Sequence, residues 1–253
     1  MQIIQIPCLQ DNYAVLIHND ATGETILFDA PEHDAIAKVL TANGWNLTAI
    51  LLTHYHLDHI QGVSSLMAQF GGTIYGSAIN SAGLGFALQT IDETGQLTVA
   101  GLDIQIFDTP GHKSDHICFY VAQLKMAVVA DVIFSLGCGR LLDGSAAQLF
   151  NSIQKLQNLP DDTMLYCGHE YTASNGQFAR AVEPNNVALR ARLAEVKTLR
   201  NQGKPTLPTS LAAEQASNPF LRTNSAEIRQ NLNMPHATEL EVFTKLRQMK
   251  DNF

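Results

Sequence analysis

No stretch of this 253-residue chain approaches the roughly twenty consecutive apolar residues that a membrane span requires. The N-terminal Met1-Gln2-Ile3-Ile4-Gln5 has neither a basic region nor a long apolar segment, so no signal peptide is expected. Cysteine is scarce: Cys8, Cys118, Cys138 and Cys167 are scattered and form no C-x-x-C pair. That argues against a disulfide framework and a thiolate zinc finger, and it fits free thiols in a reducing cytoplasm. Positive charge is short as well, with 16 Lys and Arg against 24 Asp and Glu and a formal net charge of −8. Such a balance argues against nucleic acid as a partner, which wants a basic face. It also sets a condition: an anionic substrate would need a local group of Arg and Lys to oppose the overall field. There is no low-complexity tract, and the length allows one large domain, or a domain with an appendage, around a sizeable core.

What the chain does have is Thr53-His54-Tyr55-His56-Leu57-Asp58-His59, directly after the apolar run Ala49 to Leu52. If that run is a buried strand, the chain leaves the sheet edge at Thr53 and can point His54, His56, Asp58 and His59 into one pocket. Imidazole and carboxylate suit zinc, iron or manganese, and a site short of thiolates keeps positions open for water, as catalytic metal sites must. The bland alternative is a polar loop of solvated histidines; the spacing and the strand before it weigh against that.

Up to about residue 30 the pattern is extended, with strands at Ile3 to Ile6, Tyr13 to Ile17 and Thr25 to Phe28 and a hairpin loop ending in Gly23. Pro31 opens a helix that Gly44 is placed to stop. Asp29, at the end of the third strand, is either a capping or loop residue or a partner of the metal ligands, because strand ends sit side by side. Leu47 to Thr53 reads as the next strand, Ile60 to Phe70 as a helix and Thr73 to Tyr75 as a short extended piece, followed by an irregular stretch to Gly95. Further strands are expected at Leu97 to Val99, Ile104 to Phe107, Ile117 to Val121, Met126 to Ala130 and Thr163 to Tyr166. An amphipathic helix capped by Ser145 runs to Leu159. Strands gathered on both sides of a few helices predict an α+β fold of two sheets packed face to face with helices outside.

The later strands also end in candidate ligands: His112 after Thr109-Pro110-Gly111, Asp131 after Ala130, and His169 after Cys167-Gly168. Each alone is most often solvated. With the first loop they make seven, a count that suits two metals sharing a carboxylate, with Asp131 as the bridge. Ser135-Leu136-Gly137-Cys138-Gly139-Arg140 follows, where glycines allow close backbone approach and Arg140 is either a fixed charge near the metals or an exposed connector residue. From about residue 172 strand signals nearly vanish, and a helical domain is expected, with helices at Asn185 to Arg200 and Thr238 to Lys250. Breaks fall at Lys204 to Pro208 and Asn218 to Phe220. Arg247 and Lys250 share a helix face, which by default is a solvated basic face. His18, His33 and His236 read as surface or loop residues, and His116 as either a structural hydrogen-bonding group or a chemical one.

With these residues laid out, the chain resembles the glyoxalase II (hydroxyacylglutathione hydrolase) family of the metallo-β-lactamase superfamily. The resemblance runs from Asp11-Asn12-Tyr13 through the Thr-His-x-His-x-Asp-His motif, Thr109-Pro110-Gly111-His112, Gly137-Cys138-Gly139-Arg140 and Gly168-His169-Glu170-Tyr171 to Lys250-Asp251-Asn252-Phe253. It implies an αββα sandwich over residues 1–171 and a smaller helical substrate-binding domain over residues 172–253. It implies two divalent metal ions, zinc before iron or manganese: His54, His56 and His112 on one, Asp58, His59 and His169 on the other, and Asp131 bridging. Arg140, Tyr171, Arg247 and Lys250 correspond to the family's glutathione-binding positions and meet the charge condition above. The implied reaction is hydrolysis of S-(2-hydroxyacyl)glutathione thioesters by a metal-bound bridging hydroxide, with Asp58 orienting the nucleophile, in a cytoplasmic monomer. The alternatives are a persulfide dioxygenase, a lactonase or another thioesterase of the same fold, or a non-catalytic thiol-conjugate binder. The chain departs from the family pattern at Leu142, where an aromatic residue is usual, and at Ala130, Gln61, Lys113 and Asp115. None of these removes a ligand.

Overall fold

The structure, a computed structural model, describes residues 1–91 and 95–253; of the irregular stretch expected before Gly95, residues 92–94 lie outside the described residues. The chain divides into two compact units, one of residues 1–108 and 114–129 and the other of residues 109–113 and 130–253.

In the first unit, β1 (Gln2–Cys8), β2 (Asn12–Asn19) and β3 (Glu24–Phe28) pair antiparallel in chain order. After β3, helix α1 (Asp34–Asn43) carries the chain back, so β4 (Ala49–Leu51) joins parallel to β3. Helices α2 (Leu57–Ile60) and α3 (Val63–Phe70) repeat the crossover to β5 (Thr73–Gly76), and β6 (Gln89–Thr90) completes six strands in sequence order. Gly44 ends α1 in the left-handed conformation at φ 68°, as its position predicts. The strands β7 (Gln96–Val99), β8 (Leu102–Asp108), β9 (Ile117–Val121) and β10 (Met126–Ala130) follow as an antiparallel meander.

The first sheet is buried on both faces, and the period of two in its strands sorts the side chains. Ala14, Leu16, Leu27 and Ile50 pack with Ile36 and Leu40 of α1 and Val63 and Leu66 of α3. Residues between them, such as Ile17, Ile26 and Phe28, are just as buried on the other face, where Phe28 meets Phe119 of β9 at 5.5 Å between ring centroids. Truncating one of these fully buried aliphatic side chains to Ala costs about 2–5 kcal/mol. The parallel register places the C-terminal ends of β3 and β4 side by side, with the Asp29 amide donating to Leu51 O at 3.0 Å. Asp29 and the Thr53–His59 loop therefore leave the sheet together.

The second unit begins with a two-stranded hairpin, β11 (Ile133–Phe134) with β12 (Gly137–Cys138). Helix α4 (Ala146–Gln157) opens on a capping box between Ser145 and Gln148. Strand β13 (Met164–Cys167), helices α5 (Thr172–Val182) and α6 (Val187–Asn201), strand β14 (Thr209–Ser210), and helices α7 (Leu211–Ser217), α8 (Ala226–Asn231) and α9 (Glu239–Asp251) complete it. The 109–113 loop belongs here because it lies on α4: Ser152 Oγ donates to Pro110 O at 2.7 Å, and a Cβ on Gly111 would come within 2.5 Å of Leu149.

Beyond residue 172 the elements are helical as expected, joined by the two-residue β14, which pairs antiparallel with β13 and is too short to show a period. One expectation needs correction. His18 is not a surface residue. It is 6% exposed, its Nδ1 lies 2.9 Å from Thr25 Oγ1, and its ring stacks on Trp45 at 3.9 Å.

Candidate metal centre

In the first unit, hydrogen bonding decides which nitrogen each histidine offers. The Asp29 carboxylate is buried, sits on a residue at φ 56°, and accepts from the Thr53 amide (2.8 Å), Thr53 Oγ1 (2.8 Å) and His59 Nδ1 (2.8 Å). An ionised carboxylate only accepts, so His59 carries its proton on Nδ1 and presents the Nε2 lone pair. Thr53 spends its hydroxyl proton on Asp29, so its oxygen accepts from His54 Nδ1 at 3.1 Å and leaves the lone pair of His54 on Nε2. That Nε2 lies 2.9 Å from Nδ1 of His56. Asn12 Nδ2 donates to both the main-chain oxygen of Asp58 (2.9 Å) and its Oδ2 (3.1 Å), which fixes where that carboxylate points. Asp29 is thus a partner of Thr53 and of the candidate ligand His59, and His33 rather than Asp29 stands at the N-cap of α1.

Asp115 is buried and accepts from the amide of Tyr55, the residue between His54 and His56, at 2.8 Å. His116 is fully buried and stacks on the His54 ring at 4.8 Å between centroids, which gives it a packing role.

In the second unit, Asp131 Oδ2 lies 3.5 Å from Nε2 of His112 and 3.5 Å from Nε2 of His169. All three side chains are nearly buried. His112 Nδ1 donates to Arg140 O at 2.9 Å, which again leaves Nε2 as the basic nitrogen. One carboxylate oxygen equidistant from two imidazole lone pairs is a donor set that a cation completes. Zinc or another divalent ion fits these residues by chemistry as well as by burial.

A cavity of about 430 Å³ opens beside this triad within the second unit. His112 and Asp131 line it together with Phe134, Arg140, Tyr171 and Lys250. Tyr171 stacks nearly parallel on His169 at 4.7 Å between ring centroids and meets Phe134 edge-on at 5.1 Å. Lys250 Nζ lies 5.8 Å from the Phe178 ring centroid and 5.6 Å from that of Phe253. Burial, with Arg247 and Arg140 nearby, holds its pKa below the usual lysine range. Arg247 also lines the cavity, but its guanidinium is 3% exposed and donates to Cys138 O (2.9 Å), Gly139 O (3.3 Å) and Asp251 (2.9 Å). Leu142 stands on the rim, exposed, its amide donating to His112 O.

Gly139 shows why small residues are needed in this segment, since a Cβ there would fall 2.0 Å from Asp131 O. Burial pushes the Cys138 thiol up to about 11, so it is protonated at neutral pH and is no nucleophile, although it lines the cavity. All four cysteines are free. Asn12 and Asp115 hold the loop through contacts to which sequence reasoning assigned no role. A lone polar residue 46 or 60 positions from its partner leaves no local signal.

Comparison with known proteins gives the family. A family model described as the metallo-beta-lactamase superfamily matches residues 9–169, and one described as the hydroxyacylglutathione hydrolase C-terminus matches residues 170–253. Curated relatives named hydroxyacylglutathione hydrolase include one from Chelativorans sp., 41% identical over all of this chain and 99% of its own length. A second, from Roseobacter denitrificans, has the same identity and coverage. Among solved structures, ETHE1 from Myxococcus xanthus superposes with a TM-score of 0.70 at 24% identity, covering 98% of this chain and 90% of that one. That likeness concerns the fold.

Proposed function

The chain belongs to the hydroxyacylglutathione hydrolase family of the metallo-beta-lactamase superfamily, and on that premise we propose that it hydrolyses S-(2-hydroxyacyl)glutathione thioesters such as S-D-lactoylglutathione, releasing glutathione and D-lactate. The carrying observation is the second-unit cavity, in which the proposed ligands His112 and Asp131 share a wall with Arg140, Tyr171 and Lys250. A metal-dependent reaction at one end and recognition of an anionic thiol conjugate at the other need that juxtaposition. The cations answer the overall charge of −8, which would otherwise repel a substrate bearing carboxylates.

We assign His54, His56, His112 and Asp131 to one divalent ion, and Asp58, His59 and His169 to a second that shares Asp131. Zinc is our first choice for both, with iron or manganese as alternatives, because the donors are imidazole and carboxylate without thiolate. When bound, the ions supply Lewis acidity and lower the pKa of a coordinated water. The chain's own residues do the rest. Asp29 and Arg140 O hold the imidazoles with Nε2 outward, and Asn12 holds Asp58 so that its carboxylate can orient the attacking water. Arg140 and Lys250 hold the tripeptide's negative groups, Tyr171 lies along it, and Arg247 adds charge to the same wall while tying down the carbonyls of Cys138 and Gly139. The leaving thiolate has a pKa near 8.5 and needs little help from a general acid.

Residues 1–171 then carry the catalytic machinery and residues 172–253 complete the substrate grip. The free thiols fit a reducing cytoplasm, and no helix among the described residues is long and apolar enough to cross a membrane. We take the enzyme to be a monomer. The test is thiol release from S-D-lactoylglutathione by metal-loaded protein, run beside oxygen uptake with glutathione persulfide as substrate. Thiol release from the thioester and no oxygen uptake with the persulfide is the expected result, and oxygen uptake with the persulfide in the absence of thioester hydrolysis would overturn the assignment in favour of a dioxygenase.

A further inference from the structure

Glu214 lies on α7, away from the cavity wall, and is fully buried. Its carboxylate receives four donors. Ser135 Oγ (2.8 Å) and Thr209 Oγ1 (2.9 Å) donate to Oε1, and the Leu136 amide (2.8 Å) and Asn218 Nδ2 (3.0 Å) donate to Oε2. Burial raises its pKa, against the pull of these hydrogen bonds. Asn218 Nδ2 also donates to Phe134 O (3.0 Å) and Gly137 O (2.9 Å). Between them, Glu214 and Asn218 hold every residue of the turn from Phe134 to Gly137.

That turn needs holding. Leu136 is a γ-branched residue at φ 60°, a left-handed conformation that is unfavourable for an L-residue with a Cβ. Two-residue hairpins prefer Asn-Gly or Gly at such positions, and Ser135-Leu136 offers neither. The hairpin begins two residues after Asp131 and ends two residues before Arg140, and Phe134 and Cys138 within it line the cavity. A slip of the turn would carry Phe134, Cys138 and Arg140 with it.

We propose that Glu214 is a positioning residue for substrate recognition: through Ser135 and Leu136 it locks the β11–β12 hairpin that sets the shape of the cavity between Asp131 and Arg140. This rests on the cavity being the glutathione site. The role is shape rather than charge. A glutamine would satisfy the same four partners, its oxygen accepting from Leu136 and Asn218 and its amide donating to the two hydroxyls, which can rotate to accept.

The test uses the metal-loaded full chain and reads thermal midpoint, metal content, kinetics and the calorimetric Kd of glutathione itself. Glu214→Leu is expected to raise KM and Kd at least about 10-fold with metal content retained, and Glu214→Gln to restore both to within about threefold of the parent. Ser135→Ala and Thr209→Val each remove one hydroxyl from the same oxygen, but only the first loosens the hairpin. Ser135→Ala is expected to raise KM and Kd about threefold or more, and Thr209→Val to lower the thermal midpoint alone. If Glu214→Leu does not fold, this second pair decides. Equal KM and Kd across the parent, Ser135→Ala and Thr209→Val would reduce Glu214 to a stability residue and overturn the proposal. A parent protein that neither cleaves the glutathione thioester nor binds glutathione would instead overturn the assignment of the cavity.

Discussion

Asp29 Oδ2 accepts from His59 Nδ1 at 2.8 Å, and the same oxygen takes the hydroxyl proton of Thr53, which in turn accepts from His54. One buried carboxylate thereby sets the tautomer of two imidazoles. In Asp29→Asn the amide N–H either faces His59 Nδ1 and the Thr53 hydroxyl together, driving their proton positions the wrong way, or meets the Thr53 main-chain N–H donor against donor and loosens the loop. Metal affinity measured by chelator competition is expected to fall about 10- to 100-fold. An unchanged affinity would show that the donor count has been misread.

Asp131 is equidistant from His112 and His169, so its removal should affect both proposed ions. Asp131→Ala is expected to drop metal content from about two ions per chain to one or fewer, and kcat by at least about 100-fold. Elemental analysis beside kinetics checks both. A variant that keeps two ions and full activity would rule out the bridge.

Gly139→Ala tests the close approach that the sequence motif requires. The new methyl would lie 2.0 Å from Asp131 O and 3.2 Å from the His112 Cβ, so the backbone next to two proposed ligands must move. Metal content and kcat should both fall, with far-UV circular dichroism unchanged. Full activity would mean that this backbone yields at no cost to the site.

Burial, reinforced by Arg247 and Arg140, depresses the pKa of Lys250, and an anion bound beside it should raise that pKa again. The cation is present below the depressed value and lost as pH rises through it, so KM for an anionic thioester should climb on the alkaline side earlier than an ordinary lysine would allow. Binding in that window should take up protons, visible by calorimetry in buffers of different ionisation enthalpy. Lys250→Ala should raise KM about 10-fold at neutral pH, equivalent to about 1.4 kcal/mol, and flatten the alkaline rise. A rise that survives the substitution would assign the titration elsewhere.

Glu183 is held below the usual carboxylate range: burial raises its pKa, but the paired hydrogen bonds from Arg222 and those from Ser225 and Asn186 outweigh it. Its contribution to stability is therefore complete above the unfolded-state pKa and is lost as pH falls through the depressed folded value. Glu183→Gln should lower the thermal midpoint at neutral pH and reduce its loss in acid. An acid profile identical to the parent's would contradict this.

The parts of the site that lie close together in sequence are legible there. His54 to His59 follow an apolar strand at a spacing that suits ligands, and His112, Asp131 and His169 each lie within four residues of a strand end. Gly44 and Ser145 mark a helix end and a helix start because caps are local chemistry. Long-range partners are not legible. The strand end at Asp29 leaves a capping role and a role beside the candidate ligands equally open, and only the fold brings its carboxylate to Thr53 and His59; Glu214 carries no sequence signal until the fold brings it to Ser135 and Leu136. The short helices α7 and α8 carry too few turns for a period to emerge, and Thr209 and Ser210 become a strand through pairing with β13 alone.

The most direct measurement is kcat/KM of the metal-loaded protein for S-D-lactoylglutathione, run beside a coenzyme A thioester and a lactone. The account predicts rapid thiol release from the glutathione ester and turnover of the other two lower by at least about 100-fold, with Leu142 tolerated at the rim. Cleavage of the other esters without the glutathione ester would leave the hydrolytic centre standing, but would contradict the reading of Arg140, Tyr171, Arg247 and Lys250 as a glutathione site.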